Sequence, residues 1–168
     1  MPAAATIGYL LDPTGPFPEA ETKDAETAAR ALGVQLAFLN ASTPSQIETA
    51  FTTVVERRIG ALTIGAGAVF ATQYEQIIRL AARYAIPVIW DSRTFPASGG
   101  LMNCGPTLAE PYRVAGTYAG RILSGEKPGD LPVQQPTKVE LVINMKTAGP
   151  LGLNVPQSIL LRADEVIE

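Results

Sequence analysis

Short apolar runs alternate along the chain with longer segments in which apolar residues recur every three or four positions. That is the pattern of parallel strands joined by crossover helices. TIGYLLD (6–12) reads as a strand, and 17–32 follows with helical spacing, Ala25, Ala28, Ala29 and Leu32 forming an apolar stripe and Gly33 supplying the stop. VQLAFLN (34–40) is a second strand. Ser42 or Thr43 can cap the next helix, Pro44 suits its first turn, and Ile47, Phe51, Val54 and Val55 make its buried face. ALTIGAG (61–67) is a third strand. A helix over about 69–85 buries Tyr74, Ile77, Ile78 and Ala81, and Ile86-Pro87 ends it before the strand PVIWD (87–91). Four such units in series predict an α/β, Rossmann-like three-layer α/β/α fold with a mainly parallel sheet.

The rhythm then changes. TFPASGG (94–100) is a turn-rich break, LMNCG (101–105) a short strand, and a helix over about 107–124 carries Leu108, Tyr112, Ala115, Ala119 and Ile122 on one side. A linker, GEKPGDLPVQQP, leads to a stretch in which Val139, Leu141, Ile143 and Met145 alternate with Glu140, Asn144 and Lys146, the mark of a half-buried strand. Pro132 and Pro136 withhold backbone donors, so pairing begins only after them.

In doubly wound sheets ligands gather outside the carboxyl ends of the strands, which places Asp12-Pro13-Thr14, Gly65-Ala66-Gly67 and Trp90-Asp91-Ser92-Arg93 on one rim. The GAGAVF turn has three readings. It holds the first two glycines of a dinucleotide fingerprint with Asp91 ending the next strand, although Phe70 stands where a small residue is needed. Alternatively, the glycines only make a tight turn, or free N–H groups at the helix start bind a ligand carboxylate while Asp91 takes the ammonium group. Arg93 is either a ligand clamp or a locally paired charge, and Trp90 either stacks on a ligand or caps the core. Cys104 has no base beside it in sequence and reads as a small buried residue.

Composition narrows the function. Among 168 residues, 46% of them hydrophobic, there is no histidine and one cysteine, which excludes a Cys/His zinc site, an internal disulfide and histidine-based acid–base chemistry. No nucleophile–base pair stands out, so neither an enzyme nor a cofactor or metal site is expected. A net charge of −3 without a Lys/Arg block argues against nucleic acid or an acidic membrane surface as partner. The start, MPAAATIGYLLDPTGP, lacks a basic region followed by a long apolar run, so neither a signal peptide nor membrane insertion is expected from this sequence.

The run SGEKPGDLPVQQPTKVELVINMKTAGPLGLNVPQSILLRADEVIE resembles the carboxyl-terminal end of the ABC-transporter substrate-binding protein family that includes tryptophan- and phenylalanine-binding members. ETKDAETAARALGVQL, AARYAIPVIWDSRTFPASGGLMNCGP and YRVAGTYAGRILSGEKP resemble that family in the same order. The resemblance implies one lobe of a type I periplasmic-binding-protein fold, with a signal sequence and a first lobe standing before the segment equivalent to TIGYLLDPTGP. It implies a periplasmic or extracytoplasmic solute-binding component of an ABC importer, with an amino acid or related small molecule as solute and an ABC permease as partner. Asp12, Thr14, Gly67, Trp90, Asp91, Arg93 and Asn103 are the residues expected on the cleft rim.

The resemblance also implies an α/β lobe over 1–100, a crossover segment over 101–146 that reaches toward the other lobe, and a carboxyl-terminal tail over 147–168 that packs Ile159, Leu160 and Val166 back on the first part of the chain. Leu108, Tyr112, Ile122, Leu141 and Ile143 would then be exposed in a lone chain and favour a homodimer. GAGAVF and NCG depart from the more polar DP-containing turn and the Ser-Tyr-Gly-like triplet common in the family, which leaves the solute open. A sensing or regulatory domain of the same architecture is the alternative, and a nucleotide-binding enzyme domain the third choice.

Overall fold

A computed structural model of the protein describes residues 6–107, 109–134 and 138–168. The elements run β1 (Thr6–Leu11), α1 (Pro18–Leu32), β2 (Gln35–Asn40), α2 (Pro44–Glu56), β3 (Ala61–Ile64), α3 (Ala68–Thr72), α4 (Tyr74–Tyr84) and β4 (Val88–Trp90). They continue with α5 (Thr94–Ala97), β5 (Met102–Pro106), α6 (Ala109–Leu123), β6 (Val139–Asn144), α7 (Met145–Ala148), α8 (Gln157–Leu160) and β7 (Glu165–Ile167). All seven strands form one sheet in the order β2-β1-β3-β4-β5-β6-β7. Every pairing is parallel except β5 with β6.

Right-handed crossovers place α1 on one face and α2 and α4 on the other, because the chain moves outward from β1 to β2 and then back past β1 to β3 and β4. The main core lies under α2 and α4, where Ile47, Phe51, Phe70 and Ile77 are fully enclosed. Removing each such side chain from water contributes roughly 1.5–3 kcal/mol. Gly33 closes α1 in the left-handed region (φ 65°), with the Val34 N–H bonded back to the Ala29 carbonyl. The hydroxyl of Thr43 caps α2, accepting from the Gln46 N–H. Ala28, Leu32 and Val55, expected inside, are exposed; α1 meets the sheet only along a narrow seam, at Ala29.

Two expected elements are interrupted. β3 ends at Ile64 rather than at residue 67, since the Ala66 N–H turns to a side-chain carboxylate. The helix expected over 69–85 breaks at Gln73, whose backbone leaves helical geometry (φ −109°, ψ 20°), giving α3 and α4.

The strand after the linker does not cross away from the lobe. β6 lies between β5 and β7, and Ile143 is 1% exposed. Its far end is covered on both faces: Val142 and Ile143 are both buried, and so is Asn144, expected outward. The Asn144 amide donates to the Pro96 carbonyl and its oxygen caps α7, which begins at Met145. The tail returns beside β6 rather than to the first strands, with the Asp164 N–H bonded to the Leu141 carbonyl.

Helix α6 is packed loosely. It buries no described residue, and Tyr112 is 74% and Leu123 89% exposed. Of the residues expected exposed within 101–146, Tyr112 and Ile122 on α6 are exposed, Leu141 is half-buried and Ile143 is buried; Leu108 lies outside the described residues. Cys104, expected buried, is exposed. No described helix is long and apolar enough to cross a membrane.

Candidate functional site

The carboxyl ends of the parallel strands carry the chemistry, as the topology requires. A cleft of about 840 Å³ opens there, over the ends of β3, β4 and β5. Gly67, Trp90, Asp91 and Arg93 line it, together with Tyr74 and Glu140, which the sequence did not single out for the site.

Asp91 follows directly on β4. Strand β5 presses against it at Gly105, where a Cβ would overlap the Asp91 carbonyl oxygen and stand 2.7 Å from its Cα and Cβ. The absence of a side chain at 105 thus fixes the height of Asp91 in the cleft. Among the described residues no Lys or Arg nitrogen lies within ion-pair reach of this carboxylate. Partial burial, and more weakly the nearby Glu21 carboxylate, hold its pKa above the ordinary carboxylate value against a backbone hydrogen bond that lowers it.

Arg93, by contrast, is fully engaged. Its guanidinium forks onto Glu140 at the start of β6 and Glu165 at the start of β7, tying these two strands to the loop after β4 at the rim. The local-pairing interpretation of Arg93 fits this geometry. Trp90 is 7% exposed, meets Phe95 edge-on at 5.8 Å and belongs to the core, while one edge reaches the cleft.

The GAGAVF turn is occupied from within. Glu21, on the first turns of α1, accepts from the Ala66 N–H (2.6 Å) and from the Tyr9 hydroxyl (2.8 Å) through one oxygen. Gly65 makes room for it, since a Cβ there would be 2.5 Å from that oxygen. Burial first, and then this bond to Glu21, push the Tyr9 phenol well above its usual range. A dinucleotide is not accommodated in this way: the Phe70 ring, fully buried, fills the space beside Gly67 where a third small residue would be, and Glu21 stands where a pyrophosphate would approach.

Three expected rim residues serve the scaffold. Asp12 is buried, and one of its oxygens accepts from the Thr14 N–H (3.0 Å), the Thr14 hydroxyl (2.7 Å) and the Ser42 hydroxyl (2.6 Å). Burial opposes its charge, but these bonds outweigh burial and lower its pKa. Asn103 is buried between strands, its oxygen accepting from the Val142 N–H. Neither Asp12, Thr14 nor Asn103 lines the cleft. Glu21 and Glu140 were missed because pairing across 45 and 47 positions leaves no local sequence signal.

Residues 1–167 match the family described as ABC transporter substrate binding protein. The chain belongs to this family. A conserved domain protein from Vibrio cholerae O1 biovar El Tor superposes with a TM-score of 0.86 at 23% identity, over 99% of this chain and 56% of that one. An ABC domain in complex with L-Trp from Streptococcus pneumonia gives 0.85 at 22%, over 96% and 55%. A ligand-free, open substrate binding protein with adhesive properties from Clostridium difficile gives 0.72 at 20%, over 99% and 55%. The chain therefore spans about half the length of these structures, and the likeness shows a periplasmic-binding-protein-like α/β lobe. Comparison with curated proteins finds no match.

Proposed function

We propose that the chain is the solute-binding lobe of an ABC importer, acting outside the cytoplasm, and that Asp91 holds the ammonium group of an amino acid or related small molecule. The observation that carries this is an unpaired carboxylate at the end of a parallel strand, in a cleft of about 840 Å³, in a member of a substrate-binding family. Binding, not catalysis, suits a cleft that brings no nucleophile–base pair together among its described residues and whose walls include Tyr74 and the edge of Trp90. The relative in complex with L-Trp supports a ligand of this size and kind. An ABC permease is the partner that such a function requires.

A family pocket assembled from two lobes gives one lobe only part of the contacts, so this chain alone binds weakly. α6 is the surface through which the 101–146 segment meets a first lobe, or a second copy of this chain. Asp91→Asn, in a two-lobed protein carrying this lobe, is expected to weaken binding of an amine-bearing solute by about 1.5–3 kcal/mol, the range for charged hydrogen bonds. Calorimetric titration checks it, and unchanged affinity would refute the role of Asp91.

A further inference from the structure

A mainly parallel sheet has two apolar faces to hide, and helices ordinarily cover both. In this sheet the two faces differ. Between β3 and β6, Leu62, Ile64, Val88, Trp90 and Val142 share the face of α2 and α4, and all are buried. The registers bring Thr63, Ile89, Met102, Cys104 and Leu141 together on the opposite face, and each of these is half-buried or exposed. Helix α1 covers that face only over β1 and β2. Its Glu21 reaches the Ala66 N–H beyond β3, so Ala28 and Leu32, at i+7 and i+11 on the same stripe, lie on the flank turned toward β3. Both are exposed. A trough therefore runs beside α1. From β3 to β6 it is about 14 Å across at about 4.8 Å per strand, and a helix with its side chains needs about 10–12 Å.

Helix α6 carries a surface that matches. Pro111, Val114, Tyr118 and Arg121 make a half-buried stripe toward the return limb of the chain, where the Tyr118 hydroxyl donates to the Pro132 carbonyl and Arg121 pairs with Glu126. The other stripe, Tyr112, Gly116, Ala119 and Leu123, is exposed from end to end. Its small central residues let the helix backbone approach a sheet closely, with a large apolar side chain at each end. Glu110 and Arg113 pair with one another, so all three charged side chains of α6 already have partners and the helix can enter an apolar trough without stranding a charge. Its 15 residues span about 22 Å, against about 17–20 Å for a typical strand.

The helix does not lie on its own sheet. The chain leaves the sheet at Pro106 and returns at Val139, which are paired neighbours at the carboxyl rim, so α6 and its return limb project from one point as an arm. We propose that two copies of the chain exchange these arms, α6 of each filling the trough beside α1 of the other. The result is a two-fold dimer with two equal helix-on-sheet contacts, which closes on itself and leaves no arm unpaired. A stable interface removes about 1,200–2,000 Å² in all, so each of the four contacting surfaces has to supply only about 300–500 Å². The dimer rests on the reading of α6 as a contact surface and adds to it the face that receives the helix and the copy that supplies it.

Cys104, the chain's only cysteine, stands on the floor of the trough and serves as the reporter. Gly116→Cys or Ala119→Cys adds a thiol on the free stripe, and Thr117→Cys adds one on the far side of α6. Light scattering across a dilution series of the intact chain is expected to give twice the mass of one chain. Mild oxidation with diamide should then turn Gly116→Cys or Ala119→Cys into a covalent dimer on a non-reducing gel, about tenfold faster than Thr117→Cys, because a disulfide forms only between closely apposed backbones. Adding Cys104→Ser should abolish that band. A monomer at every concentration, a cross-link that survives Cys104→Ser, or one equally fast from Thr117→Cys overturns the exchange. So does loss of thiols without a covalent dimer, which means that the arm folds back on its own sheet. Thiol modification of Ala119→Cys in a two-lobed protein carrying this lobe separates the two readings. A thiol protected there but reactive in the lone chain overturns the exchange and leaves α6 to a first lobe, whereas one reactive in both overturns the contact surface itself.

Discussion

Gly105→Ala adds one methyl group at the point where β5 supports Asp91. The new Cβ would overlap the Asp91 carbonyl oxygen and stand 2.7 Å from its Cα and Cβ, against ordinary carbon separations of about 3.5–4.0 Å. Backbone atoms on both sides leave no side chain to rotate away, so the two strands must part by roughly 1 Å. β4 and β5 are joined over only Ile89↔Met102 and Trp90↔Asn103, which makes this pairing easy to open. Overpacking costs about 1–3 kcal/mol and a weakened ladder hydrogen bond about 0.5–1.5, for a total of about 1.5–4.5 kcal/mol. In a chain of this size that lowers Tm by about 3–18 °C. Asp91 moves with the strand, so solute binding falls as well. Gly116→Ala is the control, since nothing lies within 4 Å of a Cβ there and α6 gains up to about 1 kcal/mol of helix propensity. Thermal melts followed by circular dichroism measure both. A Gly105→Ala protein that melts with the wild type would refute the claim that β5 sets the position of Asp91.

Ser42→Ala removes one of three hydrogen bonds to the buried Asp12 carboxylate and should cost about 1.5–3 kcal/mol in chemical denaturation at neutral pH, with Asp12→Ala costing more. Because the folded pKa of Asp12 is lowered, this stabilisation is present above the unfolded value near pH 4 and is lost as pH falls through the lower native value; a pH-independent loss would contradict it. Asp91 has the opposite sign. Its raised pKa makes the folded chain bind the proton more tightly, so stability falls as pH rises from about 4 through the native value, and Asp91→Asn should raise Tm at pH 7 with the gain fading in acid. Self-association, if α6 carries it, should drop in a Tyr112→Asp, Leu123→Asp variant measured by light scattering across a dilution series; an intact chain that is monomeric throughout would refute it.

What the sequence determined by itself is local or periodic. Alternating apolar runs and helical stripes set the α/β order. Gly33 carries its stop in its own covalent chemistry, a free φ, and the Ser42-Thr43 pair offers α2 a hydroxyl cap, which the structure assigns to Thr43. The position of Asp91 at a strand's carboxyl end follows from the same pattern. The family resemblance was also legible, because it rests on long stretches of residues in order.

Tertiary structure alone decided which charges are free. Asp12 and Asp91 look alike in sequence, each closing a strand, yet one is saturated by Thr14 and Ser42 and the other is left open to the cleft. Whether Arg93 serves a ligand or the fold depended on Glu140 and Glu165, brought to it by β6 and β7. The alternation in β6 suggested one wet face, but a strand between two others, with helices over its end, has none there, and so Asn144 is buried and bonded. A pattern along the chain reports which side of an element prefers water. Which partner arrives to take a hydrogen bond is fixed only when distant segments pack.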